Sequence, residues 1–279
     1  MTTTTAGVPA VELNNGVRIP QFGFGVAEIP PEETTRAVRA ALEAGYRHID
    51  TAQLYRNEAA VGAAIAESGL SREDVFVTTK LANDAHGHDN AITALEGSLR
   101  RFGFGHVDLY LIHWPQPARD TYVRTWLGFD DLLRAGKVRA IGVSNFQPAH
   151  LDRLAAESDT VPAVNQIELH PALQQAGLRE YHRAHGIATE AWSPLARGGV
   201  LGDRVLAGLA EKHGRTTAQV VLRWHVQLGT IVFPRSVSPR RMRENLDVFG
   251  FTLDDEDMAA IARLDEGRRT GPDPGTFTA

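Results

Sequence analysis

Short apolar runs alternate with longer helical patterns along almost the whole chain of 279 residues. The runs carry apolar residues at consecutive positions, as in Leu109-Tyr110-Leu111-Ile112. Such strands must be covered on both faces, which is typical of parallel sheets flanked by helices. Eight runs are expected to be strands: Phe22–Val26, His48–Ala52, Val75–Lys80, Val107–Trp114, Val138–Asn145, Ala163–Leu169, Ala188–Pro194 and Ile231–Ser236.

Helical patterns fill the intervals between these runs. In Glu32–Ala44 an apolar stripe recurs at helical spacing, two prolines precede it and Gly45 follows it. No linker rich in Pro, Gly or Ser divides the chain. We therefore predict one α/β domain over residues 1–279, a (β/α)8 TIM barrel rather than two doubly wound domains. The segment Val11–Pro20 predicts an N-terminal β-hairpin with its turn at Asn15-Gly16, placed at the lower end of the barrel.

Composition excludes several classes of function. The chain has no cysteine, which rules out disulfides, a thiol nucleophile and cysteine metal sites. Its net charge of −5, without a basic block, gives no reason to expect nucleic acid or a membrane surface as a partner. The Thr-rich start Met1–Ala10 does not resemble a signal peptide, and no apolar run is long enough to span a bilayer. A cytoplasmic monomer is expected.

Four chemically active residues stand at or just beyond the ends of neighbouring strands: Asp50, Tyr55, Lys80 and His113. Lys80 is one of three lysines, against twenty-six arginines. In a barrel these strand ends meet at the active-site face. An ammonium beside a phenol favours the phenolate and should lower the pKa of Tyr55, while Asp50 balances the lysine charge. His113 can orient a substrate carbonyl. Taken one at a time, these residues also have ordinary structural explanations. Asp50 and Lys80 could form a buried ion pair, Tyr55 could be a core tyrosine and His113 a structural histidine.

At these residues the sequence resembles the aldo-keto reductases, NAD(P)H-dependent enzymes built on a (β/α)8 barrel. The resemblance is carried by six ordered motifs: Gly45–Ala52 with Tyr55 and Asn57-Glu58, Val77–Leu81, Val107–Pro115, Ile141–Phe146, Asn165–Pro171, and Phe233–Ser236 with Arg241 and Glu244-Asn245. It implies that Asp50, Tyr55, Lys80 and His113 form the catalytic tetrad. It also implies hydride transfer from nicotinamide C4 to a carbonyl carbon, with Tyr55 as the general acid.

The resemblance also implies where NADPH or NADP+ binds. Ser144, Asn145 and Gln166 would hold the nicotinamide amide, which needs both a donor and an acceptor. Trp192 would stack on the ring where the family often has Tyr. Arg235, at a position that is often Lys, would join Ser236 and Arg241 around the 2′-phosphate, next to a helix start. The remaining cofactor residues implied are Ser193, Leu195, Val237, Glu244 and Asn245.

The substrate mouth is expected to be lined by aromatic and small apolar residues, namely Phe22, Val26, Ala27, Tyr55, Trp114 and Trp192. A short C-terminal segment after Leu264 should leave this cleft open to small polar carbonyl compounds. The sequence is most similar to the bacterial 2,5-diketo-gluconate reductase branch. No metal is expected, although His86 and His88 lie close together in one loop. Two alternatives are a Schiff-base aldolase acting through Lys80 and a non-catalytic NADP(H)-sensing barrel.

Overall fold

Strands and helices alternate within residues 7–278, the range that the computed structural model of the chain describes. Residues 1–6 of the Thr-rich start, and Ala279, lie outside that range. The strands are β1 (Ala10–Glu12), β2 (Arg18–Pro20), β3 (Phe24–Gly25), β4 (His48–Asp50), β5 (Phe76–Leu81), β6 (Val107–Ile112), β7 (Val138–Ser144), β8 (Val164–Glu168), β9 (Ala188–Trp192) and β10 (Ile231–Val232). The α-helices are α1 (Pro31–Ala44), α2 (Glu58–Ala66), α3 (His88–Phe102), α4 (Tyr122–Arg134), α5 (Pro148–Glu157), α6 (Ala176–Ala184), α7 (Arg204–His213), α8 (Thr217–Gln227), α9 (Pro239–Leu246) and α10 (Asp255–Ala262).

Strands β3 to β10 pair in chain order as one parallel sheet that closes on itself. At the closure the Gly23 amide donates to the carbonyl of Val232 at 2.8 Å, and the Val232 amide donates to the carbonyl of Gln21 at 3.0 Å. The predicted (β/α)8 barrel is therefore confirmed. Its first and last strands are shorter than predicted. Strand β10 ends at Val232, because Pro234 has no amide hydrogen and the following residues turn away as a loop.

The predicted N-terminal hairpin is present and covers the lower end of the barrel. Strands β1 and β2 pair antiparallel, and Gly16 takes φ 80° in the turn, where its amide donates to the carbonyl of Leu13 at 2.9 Å. Leu13 and Ile19 of the hairpin are buried with Leu109 and Leu111 of β6. The hairpin therefore seals the end of the barrel that lies opposite the strand C-termini.

The larger core lies between the barrel and its helices. Along β6 the side chains alternate, because Tyr110 and Ile112 face the helices whereas Leu109 and Leu111 face the barrel interior. Tyr110 stacks on Phe129 of α4 with ring centroids 4.3 Å apart. Within the described residues, no helix is both long and apolar enough to cross a membrane. With one end of the barrel sealed and its sides covered, the strand C-termini form the open face.

Candidate active site

The four residues singled out in the sequence lie together at this open face. The Lys80 ammonium is buried and donates to Asp50 Oδ1 at 2.7 Å and to the carbonyl of Thr51 at 2.9 Å. Lys80 Nζ lies 5.3 Å from the centroid of the Tyr55 ring. The Tyr55 ring in turn meets His113 edge to face, with centroids 5.9 Å apart. A buried cation, its carboxylate partner, a phenol and an imidazole therefore occupy one spot.

Burial and the neighbouring charges together set the ionisation of Tyr55 and Lys80. Burial raises the pKa of Tyr55 above 10, because desolvation of the phenolate outweighs the opposing charge of Lys80. The sequence-based expectation that the lysine would leave the pKa of Tyr55 lowered was therefore wrong for the net shift, although the lysine does act in that direction. Burial alone would lower the pKa of Lys80, but Asp50 and Tyr55 raise it. Tyr55 is accordingly a neutral phenol and Lys80 a cation at neutral pH.

His113 is a neutral imidazole in this environment. Burial, followed by the positive charge of Lys80, lowers the pKa of His113 to about 3. Its Nδ1 atom is buried and has no hydrogen-bond partner among residues 7–278. A neutral ring can offer one donor and one acceptor, so His113 can hydrogen-bond an uncharged carbonyl oxygen without adding a charge.

A cavity of about 470 Å³ opens above the cluster. Lys80 lies beneath its floor, in contact with Asp50 rather than with the cavity. Three of the predicted catalytic residues line it, namely Asp50, Tyr55 and His113. Most of the residues predicted to bind cofactor or substrate line it as well: Trp114, Ala27, Ser144, Asn145, Gln166, Trp192, Ser193, Leu195, Arg235 and Arg241. A predicted set that was spread over most of the sequence therefore comes together in space.

Two residues predicted to line the substrate mouth lie elsewhere. Phe22 and Val26 are fully buried in the layer between barrel and helices, where the Phe22 ring lies 6.0 Å from Tyr46. Successive side chains of a strand point to opposite faces, so the intervening Gly25 is the residue that lines the cavity. A Cβ atom on Gly25 would come within 3.0 Å of the carbonyl of Phe233. The prediction was wrong by one residue in register.

Asn145 and Trp192 form a fixed wall of the cavity. The Trp192 indole donates from Nε1 to Asn145 Oδ1 at 2.8 Å. Asn145 Nδ2 donates to the carbonyl of His113 at 3.0 Å and to Ser144 Oγ at 3.1 Å. The amide hydrogens of Asn145 are thus engaged within the protein, and its Oδ1 atom keeps acceptor capacity for a bound group.

Gln166 connects the ion pair to a second buried carboxyl group. Its Nε2 atom donates to Asp50 Oδ2 at 2.9 Å and to Glu190 Oε2 at 2.8 Å. Because both amide hydrogens point at carboxyl groups, Gln166 can present only its Oε1 atom to the cavity. Burial, and then the charge of Asp50, raises the pKa of Glu190 to about 8.

A second cavity, of about 730 Å³, adjoins the first and shares Glu28, Leu195, Leu201, Arg235 and Arg241 with it. At its far side α9 begins with Pro239, after the Ser238 hydroxyl that accepts the Arg241 amide at 3.5 Å. The other residues predicted to bind cofactor line this second cavity: Ser236, Val237, Glu244 and Asn245. Arg235 currently pairs with Glu28 at 2.8 Å.

The C-terminal segment, residues 265–278, closes one side of the first cavity rather than leaving it open. Gly271 and Pro272 line the cavity, and Phe277 packs on Trp114 with ring centroids 4.4 Å apart. Buried Glu168 accepts hydrogen bonds at 2.6 Å from both the amide and the hydroxyl of Thr270, and so holds the segment to β8. The expectation of an open cleft was wrong, because this segment folds over the mouth instead of ending short of it.

Comparisons with known proteins agree with this architecture. The model of the Aldo/keto reductase family matches residues 20–266. The chain is an aldo-keto reductase. Its sequence is similar to that of an aldo-keto reductase of Mycolicibacterium smegmatis, with 55% identity over 269 residues. That alignment covers 96% of this chain and 98% of the relative. The chain is 47% identical to the methylglyoxal reductase DkgA of Escherichia coli K12, over 98% of this chain and 99% of that protein. A crystal structure of a Gox0644 variant in complex with NADPH aligns with a TM-score of 0.94 at 48% identity, covering 98% of this chain and 99% of that one.

Three charged residues at or directly behind the cavities of this aldo-keto reductase were missed in the sequence: Glu28 and Arg197 line the first cavity, and Glu190 lies behind Gln166. Glu190 is a fully buried residue in the middle of strand β9, and a carboxyl group at such a position is itself an unusual signal. Glu28 pairs with Arg235 and, at 3.5 Å, with Arg197. No periodicity marks Glu28 or Arg197, because both lie in loops where the backbone has positive φ.

Proposed function

We propose that this aldo-keto reductase uses NADPH to reduce the carbonyl groups of small polar compounds to alcohols, with Tyr55 as the proton donor. The substrates proposed are keto acids, keto sugars and dicarbonyl compounds. The proposal is carried by one observation, the Tyr55 phenol beside the buried Lys80–Asp50 ion pair, on the floor of a cavity that Arg241 also lines. The Escherichia coli relative named methylglyoxal reductase gives independent support for a small dicarbonyl substrate.

The two adjoining cavities fit a dinucleotide with a 2′-phosphate. The inner cavity offers the Gln166 Oε1 acceptor and the flat Trp192 ring for a carboxamide-bearing aromatic ring. The outer one offers Arg241, Arg235 and the start of α9, a donor set suited to a phosphate. NADPH, when bound, supplies the hydride. The protein must release Arg235 from Glu28 if its guanidinium is to face the phosphate.

The residues of the chain supply the proton and the orientation. Tyr55 is protonated at neutral pH, so it can donate its proton to a carbonyl oxygen as charge develops there. Lys80 stabilises the phenolate that remains, and Asp50 keeps the ammonium charged and in place. Neutral His113 can hydrogen-bond the same oxygen and fix the carbonyl beside Tyr55.

The shape of the inner cavity favours small substrates. Trp114, Trp192 and Leu201 form apolar walls, while the C-terminal segment contributes Pro272 on the side where the cleft was expected to be open. The cavity of about 470 Å³ must hold the reacting ring of the cofactor as well as the substrate, and this sharing limits the size of the substrate. Bulky apolar ketones should therefore be poor substrates.

The aldolase alternative requires Lys80 to be a free, uncharged nucleophile. Lys80 is instead fully buried, is bound to Asp50 and Thr51, and has a raised pKa. Borohydride in the presence of a keto substrate should consequently leave the lysine unmodified. The cofactor-sensing alternative predicts that the protein binds NADPH but does not oxidise it. Measuring NADPH oxidation in the presence of carbonyl compounds distinguishes this alternative from the proposed reductase.

The test is the variant Tyr55→Phe, assayed by NADPH absorbance with methylglyoxal and with a keto sugar acid. Loss of the general acid should lower kcat by roughly 10²–10⁴-fold. NADPH binding, followed by quenching of tryptophan fluorescence, should be unchanged. The matched control Tyr181→Phe removes a surface hydroxyl that bonds to Asp152, and it should behave as wild type. A Tyr55→Phe variant of full activity would contradict the proposal.

A panel of carbonyl substrates tests the proposed substrate class. Activity confined to bulky apolar ketones would overturn the preference for small polar compounds, while leaving the reaction class intact. The cytoplasmic location and the monomeric state stay predictions, and gel filtration of the purified protein tests the second.

A further inference from the structure

The unexpected feature of the site is Glu190, a second carboxyl group behind the catalytic ion pair. Glu190 is fully buried, and its strand neighbours place it in the barrel interior, in register with Gln166 of β8 and Ile231 of β10. Its Oε2 atom accepts from Gln166 Nε2 at 2.8 Å, while Oε1 has no partner within residues 7–278. The same Gln166 nitrogen donates to Asp50, the partner of Lys80.

We propose that Glu190 is a positioning residue for carbonyl reduction, which fixes the Gln166 amide toward the cofactor and sets how much of the Lys80 charge reaches Tyr55. This inference rests on the proposed function. It assigns to Glu190 two effects, one on cofactor binding through Gln166 and one on proton donation through Lys80. The two effects can be measured separately.

The first effect follows from the hydrogen-bond capacity of an amide. The two hydrogens on Gln166 Nε2 are directed at Asp50 Oδ2 and Glu190 Oε2. Turning the amide by half a turn would bring its oxygen against the Asp50 carboxylate, which repels it, and would break the hydrogen bond from Nε2 to Glu190 Oε2. Glu190 therefore holds Gln166 in the orientation that presents Oε1 as an acceptor to the cavity.

The second effect is electrostatic. The charged groups that face Glu190 are Asp50 of β4 and Lys80 of β5, whereas β8 contributes the uncharged Gln166 and β10 the apolar Ile231. Glu190 is largely protonated at neutral pH, since burial and Asp50 raise its pKa to about 8. When it ionises, two carboxylates share one ammonium. Less of the positive charge is then available to stabilise the Tyr55 phenolate, and proton donation becomes slower.

A purely structural reason for Glu190 is hard to find. Of its two oxygen atoms only Oε2 accepts a hydrogen bond, and burying a carboxyl group with an unpaired oxygen is unfavourable. The neighbouring side chain of Ile231 on β10 is apolar and buried, so an apolar residue at this position would avoid the cost of the unpaired oxygen. The position of Glu190 beside Asp50 and Gln166 is explained if the group acts on the site.

The test compares wild type with Glu190→Gln and Glu190→Met. Glutamine keeps the shape and an acceptor oxygen for Gln166 but cannot ionise, whereas methionine removes both properties. Asp108→Asn serves as the control, because Asp108 is a buried carboxylate at the opposite end of the barrel, paired with Arg72 and Arg139. For each protein we would measure the pH profile of kcat for reduction, the Kd for NADPH, and the infrared band of protonated carboxylic acids.

Wild type should show a decline of kcat around pH 8 and an infrared carbonyl band that disappears over the same pH range. Glu190→Gln should lack both the band and the decline while binding NADPH as wild type does. Glu190→Met should bind NADPH more weakly and turn over more slowly at every pH. The control should keep the wild-type band, profile and Kd.

Two results would overturn the inference. One is a Glu190→Gln variant that keeps the decline of kcat at the same pH, or a band that persists in that variant. The other is a Glu190→Met variant with the wild-type Kd for NADPH. Wild-type protein that binds NADPH but reduces no carbonyl compound would instead refute the proposed function, while the infrared and binding measurements would still decide the placement and ionisation of Glu190.

Discussion

Replacing Glu190 with glutamine should change how the stability of the protein depends on pH, independently of any effect on activity. A carboxyl group that is harder to ionise in the folded state binds more protons there than in the unfolded chain. Its contribution to stability is therefore complete below the unfolded-state pKa of 4.5 and declines as the pH rises toward its folded-state pKa of about 8. Glutamine does not titrate, so the variant should lack this decline.

The magnitude follows from the two pKa values. Between pH 6 and pH 9 the linkage relation gives a loss of about 3 kcal/mol of unfolding free energy from this one group. Glu190 is fully buried, so no discount for solvent screening applies. For a chain of this size the loss corresponds to roughly 5 °C in the midpoint of thermal unfolding. Wild type should lose this much relative to Glu190→Gln as the pH rises.

The assay is thermal unfolding of both proteins at pH 6 and pH 9, followed by circular dichroism. Glu168→Gln is the matched control on the neighbouring strand. Burial alone would raise the pKa of Glu168, but hydrogen bonds from His170 and Thr270 lower it, so its stabilisation is lost only on acidification. The control should therefore show the wild-type difference between pH 6 and pH 9. Parallel behaviour of wild type and Glu190→Gln would refute the reasoning.

Three further substitutions test the cavities. Arg241→Ala should weaken NADPH binding by about 1.5–3 kcal/mol but hardly affect NADH; equal losses in fluorescence titrations would remove the 2′-phosphate assignment. Glu28→Gln frees Arg235 and should tighten NADPH binding by at most about 1 kcal/mol, since the pair it breaks is exposed; weaker binding would contradict this. Gly271→Ala would place a Cβ atom 2.5 Å from the Trp192 ring and should raise KM for the carbonyl substrate, so an unchanged KM would mean that the segment is not part of the mouth.

The fold could be predicted from the sequence because burial on both faces leaves a direct mark. The run through Leu109 and Tyr110 is apolar at every position, since one residue faces the barrel interior and the next faces the helices. The ends of β3 could not be predicted. They are set by the closure between Gly23 and Val232, a contact between residues about two hundred positions apart that leaves no local pattern.

The site was predictable where chemistry is tied to strand ends, and less so where it depends on side-chain direction or on loops. Asp50 and Lys80 meet because their strands are neighbours and parallel. Phe22 was misplaced because a shift of one residue along a strand moves a side chain to the other face. The C-terminal segment was misjudged because its attachment through Thr270 to Glu168 joins residues 102 positions apart.

The buried ion pair is explained better by the proposed chemistry than by a contribution to stability. Removing the charges of Lys80 and Asp50 from water costs several kcal/mol each, and their attraction rarely returns more than that, so an apolar pair of similar size would be at least as stable. The pair nevertheless lies directly beneath Tyr55, a group that changes from a neutral to a charged form when it gives up a proton. Because burial makes the phenolate unfavourable, a phenol at this position needs a fixed cation beside it if it is to act as an acid. The same burial that raises the pKa of Tyr55 therefore explains why Lys80 must be there.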